Sequence, residues 1–202
     1  MPESLKGGGG QWSPGQPLVL ETDRFVVRSL TVEDATPTYV GWWNDPEIQE
    51  PFGFKPRNWT QAEAIRNLQR SDNRVLFQLG IFPKGEALPI GFFVIFVEGF
   101  HRAKTLVVIG NKGFWGARVP IEVRARCLDF LFDTVGVAVV YGTVSPRNFA
   151  SIYNYKAQGF AVDGVLRRHG VDAAGRPEDQ IAFSMLAEEW RARRKGEGGS
   201  AP

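Results

Sequence analysis

Cysteine is almost missing from this chain: Cys127 stands alone among 202 residues. No internal disulfide can form, and a lone thiol on an apolar helical stretch reads as a small buried hydrophobe in a reducing cytoplasm. Strong charge of one sign is missing too. The 24 Lys and Arg against 22 Asp and Glu leave a net +2, too weak a field to draw nucleic acid or a membrane surface. The local excess at Arg191, Arg193, Arg194 and Lys195 reads as a solvated helix end. Long apolar runs are lacking as well. The longest, residues 90–97, is far below the roughly 20 residues of a spanning helix, and the N-terminus has no basic-then-apolar leader. No metal-ligand spacing and no Ser/His/Asp arrangement is present, so neither a metal nor a hydrolase is expected. There is no internal repeat.

What is present is an ordinary globular composition, 43% hydrophobic and 23% charged, with a generous 15 Phe and 6 Trp. Residues 1–17 carry Gly7, Gly8, Gly9, Gly10, Pro14, Gly15 and Pro17, the composition of a flexible segment with little to bury. Residues 195–202 read as a flexible tail. One folded domain is expected over residues 18–194.

Along that domain, Phe25, Val26 and Val27 form a short strand preceded by Leu18 and Leu20. Thr31 with Asp34 signals a helix start, although Pro37 forces the helix to kink or begin late; Asn44, Asp45 and Pro46 end it. Thr60 and Glu63 form a capping box for a second helix. Apolar runs at 75–82, 89–97 and 105–109 are joined by short turns that favour antiparallel pairing. A helix over about 120–135 is expected to bury Ile121, Ala125, Leu128, Phe132 and Val135. A strand at 138–144 precedes a helix capped by Asn148 and closed by Gly159, and two strands near 162–169 and 180–186 finish the domain. The order implies an α/β (α+β) fold with a mixed sheet, since one strand-helix-strand crossover joins parallel neighbours while the rest are hairpins.

Residues 105–160 carry the chemistry. A strand feeds a turn bearing Gly110, Gly113 and Gly116, then a helix whose first amides face an anion; a second strand leads to Asn148, Ser151 and Tyr155. Read plainly, the glycines only turn a strand into a helix, Asn148 only caps, and Tyr155 only packs beside Ile152.

The order and the local residues resemble the GNAT superfamily of N-acetyltransferases, and in particular the subgroup that acetylates ribosomal-protein N-termini and small amines. The matching pieces are the first strand with Arg24, Phe25 and Arg28, then Trp43, Asn44, Asp45, Pro46 and Glu47, then Trp115 and Gly116 with Glu122 following. Asn148, Ser151, Tyr155, Gly159 and Phe160 match next, and Phe183, Ser184 and Met185 with Trp190 close the series. The resemblance implies a mostly antiparallel central sheet with helices on both faces. It also implies acetyl-CoA, or another acyl-CoA, as co-substrate. The strand edge at Val108, Ile109 and Gly110, the loop Gly116, Ala117, Arg118, Val119 and Pro120, and Asn148 and Ser151 would hold it. Its thioester would lie where the strands at 105–109 and 138–144 splay.

Tyr155 aligns with the usual general acid for the departing thiolate. Glu98 and His101 are candidates by type for the base, against a plain reading of His101 as an exposed loop residue. Trp43, Asp45, Glu47 and Phe52, with Phe54 nearby, fall where the family binds its amine acceptor, a small molecule or a protein N-terminus; the carboxylates there suit either a cationic amine or a solvated loop. The chain is expected to act as a monomer or homodimer. One departure stands out. Arg118 and Pro120 occupy loop positions where the family usually has small residues, and proline removes an N–H donor. This leaves open a non-catalytic binding or regulatory module on the same fold.

Overall fold

Two-sided burial explains the sheet at the centre of the molecule. The computed structural model describes residues 12–53, 58–99 and 101–197. Eight strands run in the order β1-β2-β3-β4-β5-β6-β8-β7. They are β1 (Val19–Glu21), β2 (Phe25–Ser29), β3 (Leu76–Pro83), β4 (Gly91–Glu98), β5 (Arg102–Ile109), β6 (Val139–Val144), β7 (Ala161–Val171) and β8 (Pro177–Leu186). Every neighbouring pair is antiparallel except β5 with β6. The apolar runs of β3 and β4 are nearly continuous because each face meets a different layer. In β4, Phe93 and Ile95 join one buried cluster while Phe92 and Val94 join the other. Each such side chain taken fully from water contributes about 1.5–3 kcal/mol.

The Phe92 face is covered by α1 (Pro37–Asn44), α2 (Pro46–Gln49) and α3 (Gln61–Leu68) through Tyr39, Trp42, Ile48, Ala64 and Leu68. The expected late start is observed: α1 begins at Pro37, whose missing N–H costs nothing in the first turn, and Thr36 caps it by accepting from the Tyr39 amide. The Thr31–Asp34 capping box closes a single 3-10 turn instead of the helix. The Thr60–Glu63 box opens α3 as expected.

The opposite face carries α4 (Val119–Asp129), α5 (Phe149–Ala157) and α6 (Ala187–Glu197). From Phe130 to Val135, α4 widens into a π-helical turn that ends at Gly136 with φ of 81°. Its buried face differs from the expected one. Val119, Val123, Cys127 and Leu128 are buried, as is Arg124, whereas Ile121, Ala125 and Val135 are only half-buried. Both stripes satisfy helical spacing, and the wider turn brings Phe130, Leu131 and Phe132 inward together. The final helix α6 is an element beyond the expected order; Trp190 anchors it in the core, its Nε1 donating to Asp129. Packing on the N-terminal side reaches back to Trp12, whose ring meets Phe77 and Phe130 at 5.8 and 5.0 Å. Among the described residues, no helix is long and apolar enough to cross a membrane.

Two glycines of opposite character provide a test. A Cβ on Gly110 would lie 2.1 Å from the Trp42 ring, whereas one on Gly41, exposed in α1, would meet nothing within 4 Å. Gly110→Ala is expected to lower stability by about 1–3 kcal/mol and Gly41→Ala to raise it by about 0.5–1 kcal/mol in urea denaturation.

Candidate active site

A ladder that stops early opens the site. β5 and β6 pair in parallel at Arg102–Val139, Ala103–Val140 and Lys104–Tyr141, and no further. Beyond Lys104 the strands part, and the β5 edge from Thr105 onward has no strand partner on that side. A cleft of about 280 Å³ fills the gap. Its walls include Thr105 and Val107 from β5, Thr143 and Val144 from β6, and Asn148, Ser151 and Tyr155 from α5. Phe52 lies at one rim and His169 and Gln180 of β7 and β8 at another. A second hollow of about 250 Å³ lies over α3, between Trp59 and Arg70. It touches none of these strands, so the open ladder marks the more informative site.

Tyr155 is buried, 4% exposed. Its ring stacks on Phe183 at 5.0 Å and meets Phe160 edge-on at 4.9 Å, while its hydroxyl reaches toward Gly142 of β6. A Cβ on Gly142 would lie 2.1 Å from that oxygen, so the missing side chain makes its room. Packing and cleft exposure therefore coexist in Tyr155. Asn148 does two jobs: its Oδ1 accepts from the Ser151 amide, capping α5, and its Nδ2 donates to the Pro51 carbonyl at 3.1 Å. That bond ties the α2–α3 connection to the cleft wall.

Arg124 was not singled out by sequence. It is 2% exposed and lines the cleft, with its guanidinium 4.2 Å over the Tyr155 ring. Nη1 donates to Gln158 Oε1 at 2.8 Å, and Gln158 in turn donates to the Ile121 carbonyl. Nε is buried with no partner, as is Thr105 Oγ1. Burial pulls the Arg124 guanidinium below the ordinary arginine value; the group stays charged nonetheless. The available signal was a charge falling inside the 119/123/127 stripe of α4.

The loop before α4 is held from outside. Glu122 accepts from the Thr22 hydroxyl at 2.6 Å and pairs with Arg24 at 2.6 Å, while Arg24 Nη2 donates to the Ala117 carbonyl at 3.0 Å. Trp115 Nε1 pins the other side to the Ile109 carbonyl. Gly116 and Arg118 have φ of 78° and 58°. The amides of Gly116, Arg118 and Val119 have no backbone partner among the described residues. The Arg118 side chain is exposed and makes no ion pair among the described residues. Val108 and Gly110 are buried beneath the strand end, with Ile109 half-buried.

Glu98 and His101 are not brought to the cleft. They sit at the β4–β5 turn, where Glu98 pairs with Arg102 at 2.7 Å and accepts from the Tyr141 hydroxyl. His101 is exposed there, with φ of 61°. The turn lies at the start of β6, and four residues of strand, roughly 13 Å, separate it from Thr105. Asp45 and Glu47 also face elsewhere, on Lys112 at 2.8 and 2.5 Å. The Lys112 hydrogen bond holds the Asp45 carboxyl below its ordinary range. Trp43 stacks on Trp59 at 4.6 Å and on Phe92 at 5.2 Å. Of this acceptor group, Phe52 alone lines the cleft; Phe54 lies outside the described residues. Cys127 is buried, and that burial pushes its thiol up to about 12, so it is inert. No metal-binding group of His, Cys, Asp or Glu occurs among the described residues.

Residues 24–161 match the model of the acetyltransferase (GNAT) domain. An N-acetyltransferase of Bacillus subtilis, YoaA, itself uncharacterised, is 21% identical over 188 residues, covering 83% of this chain and 96% of the relative. The Mycobacterium smegmatis RimJ structure, solved with CoA-disulfide, superposes with a TM-score of 0.77 at 19% identity, covering 93% of this chain and 98% of that one. The ribosomal-protein-S5-alanine acetyltransferase of Vibrio fischeri gives 0.74 at 18% identity, over 86% of this chain and 98% of its own. These likenesses establish the fold.

The Glu122 clasp gives a pH test. Burial raises the Glu122 carboxyl, but hydrogen bonds from Thr22 and Arg24 outweigh it and hold the group below the ordinary glutamate value. Such a group stabilises fully above its unfolded value of about 4.3 and loses that contribution as pH falls through the lower folded value. Glu122→Gln is expected to cost roughly 1–3 kcal/mol at pH 7. Thermal melts of variant and parent should converge as pH drops below about 4.

Proposed function

The chain belongs to the GNAT acetyltransferase family, and from that premise we propose that it transfers an acetyl or other acyl group from an acyl-CoA to a primary amine by direct attack. The observation that carries this reading is the gap beyond Lys104, where the ladder between β5 and β6 ends beside the Tyr155 hydroxyl. The chain's own groups suit such a ligand. The open β5 edge supplies backbone polar groups, the Thr105 hydroxyl is buried without a partner among the described residues, and the amides of Gly116, Arg118 and Val119, likewise unpartnered by backbone there, would be donors for phosphate. Asn148 and Ser151 would flank the ligand from α5.

When bound, the acyl-CoA would supply an activated acyl carbon and a CoA thiolate as leaving group. Backbone N–H groups of the β5 edge would carry negative charge gathering on the carbonyl oxygen. Tyr155 holds the proton that the leaving sulfur needs. The C–N bond forms and the C–S bond breaks; the proton shed by the amine leaves through water in the open cleft, since Glu98 and His101 stand away from it, and Tyr155 recovers a proton from the same water. Phe52 lies on the acceptor side. In this reading the enzyme works in the cytoplasm, as a monomer or homodimer, on a small amine or a protein N-terminus.

A binding module without turnover is the second reading, favoured by Pro120, which offers no amide to phosphate. Thermal shift with acetyl-CoA and longer acyl-CoAs separates the two. A ligand at a hundred times its Kd should add about 2.7 kcal/mol of stability. Tyr155→Phe is expected to lower kcat at least tenfold with acyl-CoA affinity nearly unchanged. Absence of any shift excludes the enzyme reading, and an unchanged kcat removes Tyr155 from the acid role.

A further inference from the structure

Arg124 is a buried cation whose counter-charge is missing from the protein. The other ion-paired arginines meet carboxylates: Arg24 pairs with Glu122, Arg28 with Asp34, Arg102 with Glu98 and Arg147 with Glu178. Arg124, the most deeply buried of them, has an amide oxygen from Gln158 and the face of Tyr155, and no carboxylate among the described residues. A guanidinium carries five N–H donors; one is engaged here, and Nε is buried and unpartnered. The described residues lining the cleft include Lys104, Arg124 and His169 and not one Asp or Glu. Lys104 likewise makes no ion pair among the described residues. Burying an unpaired charge is costly unless a partner arrives.

We propose that the cleft takes a ligand bearing a carboxylate, which seats on Arg124 with Thr105 beside it. This deepens the acyltransferase reading and rests on it. The planar guanidinium fork matches a carboxylate in two parallel hydrogen bonds, and the Thr105 hydroxyl, buried without a partner among the described residues, lines the same cleft. In the acyltransferase reading the phosphates would meet the amides of Gly116, Arg118 and Val119, which do not line this cleft. The carboxylate comes either from the acyl chain, as in a dicarboxylic acyl thioester, or from the acceptor, as in a free amino acid. In both cases the cleft disfavours a polyamine, whose positive charges would face Lys104 and Arg124.

The test uses the full chain. One arm compares binding of acetyl-CoA, propionyl-CoA, malonyl-CoA and succinyl-CoA. The other compares acetyl transfer from acetyl-CoA to alanine, to alaninamide and to spermidine. The expected result is a preference of at least tenfold for the carboxylate-bearing member in one arm, collapsing to near unity in Arg124→Met and partly kept in Arg124→Lys. If Arg124→Met does not fold, the wild-type ratio and Arg124→Lys decide. Equal handling of acids and their neutral counterparts in both arms, with acetyl-CoA still bound, overturns the proposal and leaves the acyltransferase reading standing. So does spermidine as the best acceptor, or a preference untouched in Arg124→Met. Failure to bind any acyl-CoA overturns both together.

Discussion

The parallel pairing of β5 with β6 lasts three residues and then fails, and the rest of the molecule is arranged around that failure. A buried strand edge without partners is expensive, because each backbone polar group taken from water needs a replacement bond. A protein could close the gap by continuing the ladder. This one instead inserts Tyr155, stacked on Phe183, and leaves a cleft. The edge is tolerable because the cleft beside it leaves room in which its backbone groups can find partners.

Distant parts of the chain hold the opening at its width. Glu122 reaches from α4 to the β1–β2 turn, so the loop that precedes α4 is fixed by residues about a hundred positions earlier. Asn148 joins α5 to the Pro51 carbonyl on the other side of the sheet's rim. Gln158 locks α5 against α4 through Arg124 on one side and the Ile121 carbonyl on the other. The cleft thus has walls from helices on one layer and a rim from the α2–α3 connection, each tied by hydrogen bonds of 3.1 Å or shorter. Apolar packing brings the layers together; these polar ties set their separation.

Most of the fold was legible because its signals are local. Pro37, the Thr60–Glu63 box, Asn148 and Gly159 act within a turn of themselves, and short apolar runs between turns mark the strands of the sheet's centre. The family pattern added the splay between the strands at 105–109 and 138–144 and pointed to Tyr155, Asn148 and Ser151, which do share one cleft. What sequence could not supply was the reach of side chains across elements. Glu98, Asp45 and Glu47 have the right chemistry, and each is engaged elsewhere, by Arg102 and by Lys112. Arg124 was hidden for the complementary reason: two apolar stripes fit α4 equally well, and the choice between them depends on the π-helical turn at its end. Of the helix α6 only the solvated end at Arg191, Arg193, Arg194 and Lys195 was legible; its docking through Trp190 is a tertiary contact that its short run of small and charged residues does not signal.

Gly142 shows how far the site's form is imposed by a position that contributes no chemistry. The Tyr155 oxygen occupies the volume that the smallest side chain on β6 would need, so the strand and the helix cannot be varied independently there. Positions 142 and 155 form a locked pair in which bulk can be added to one only if it is surrendered by the other. Enlarging the cleft from this wall would therefore displace the phenol before it widened the space.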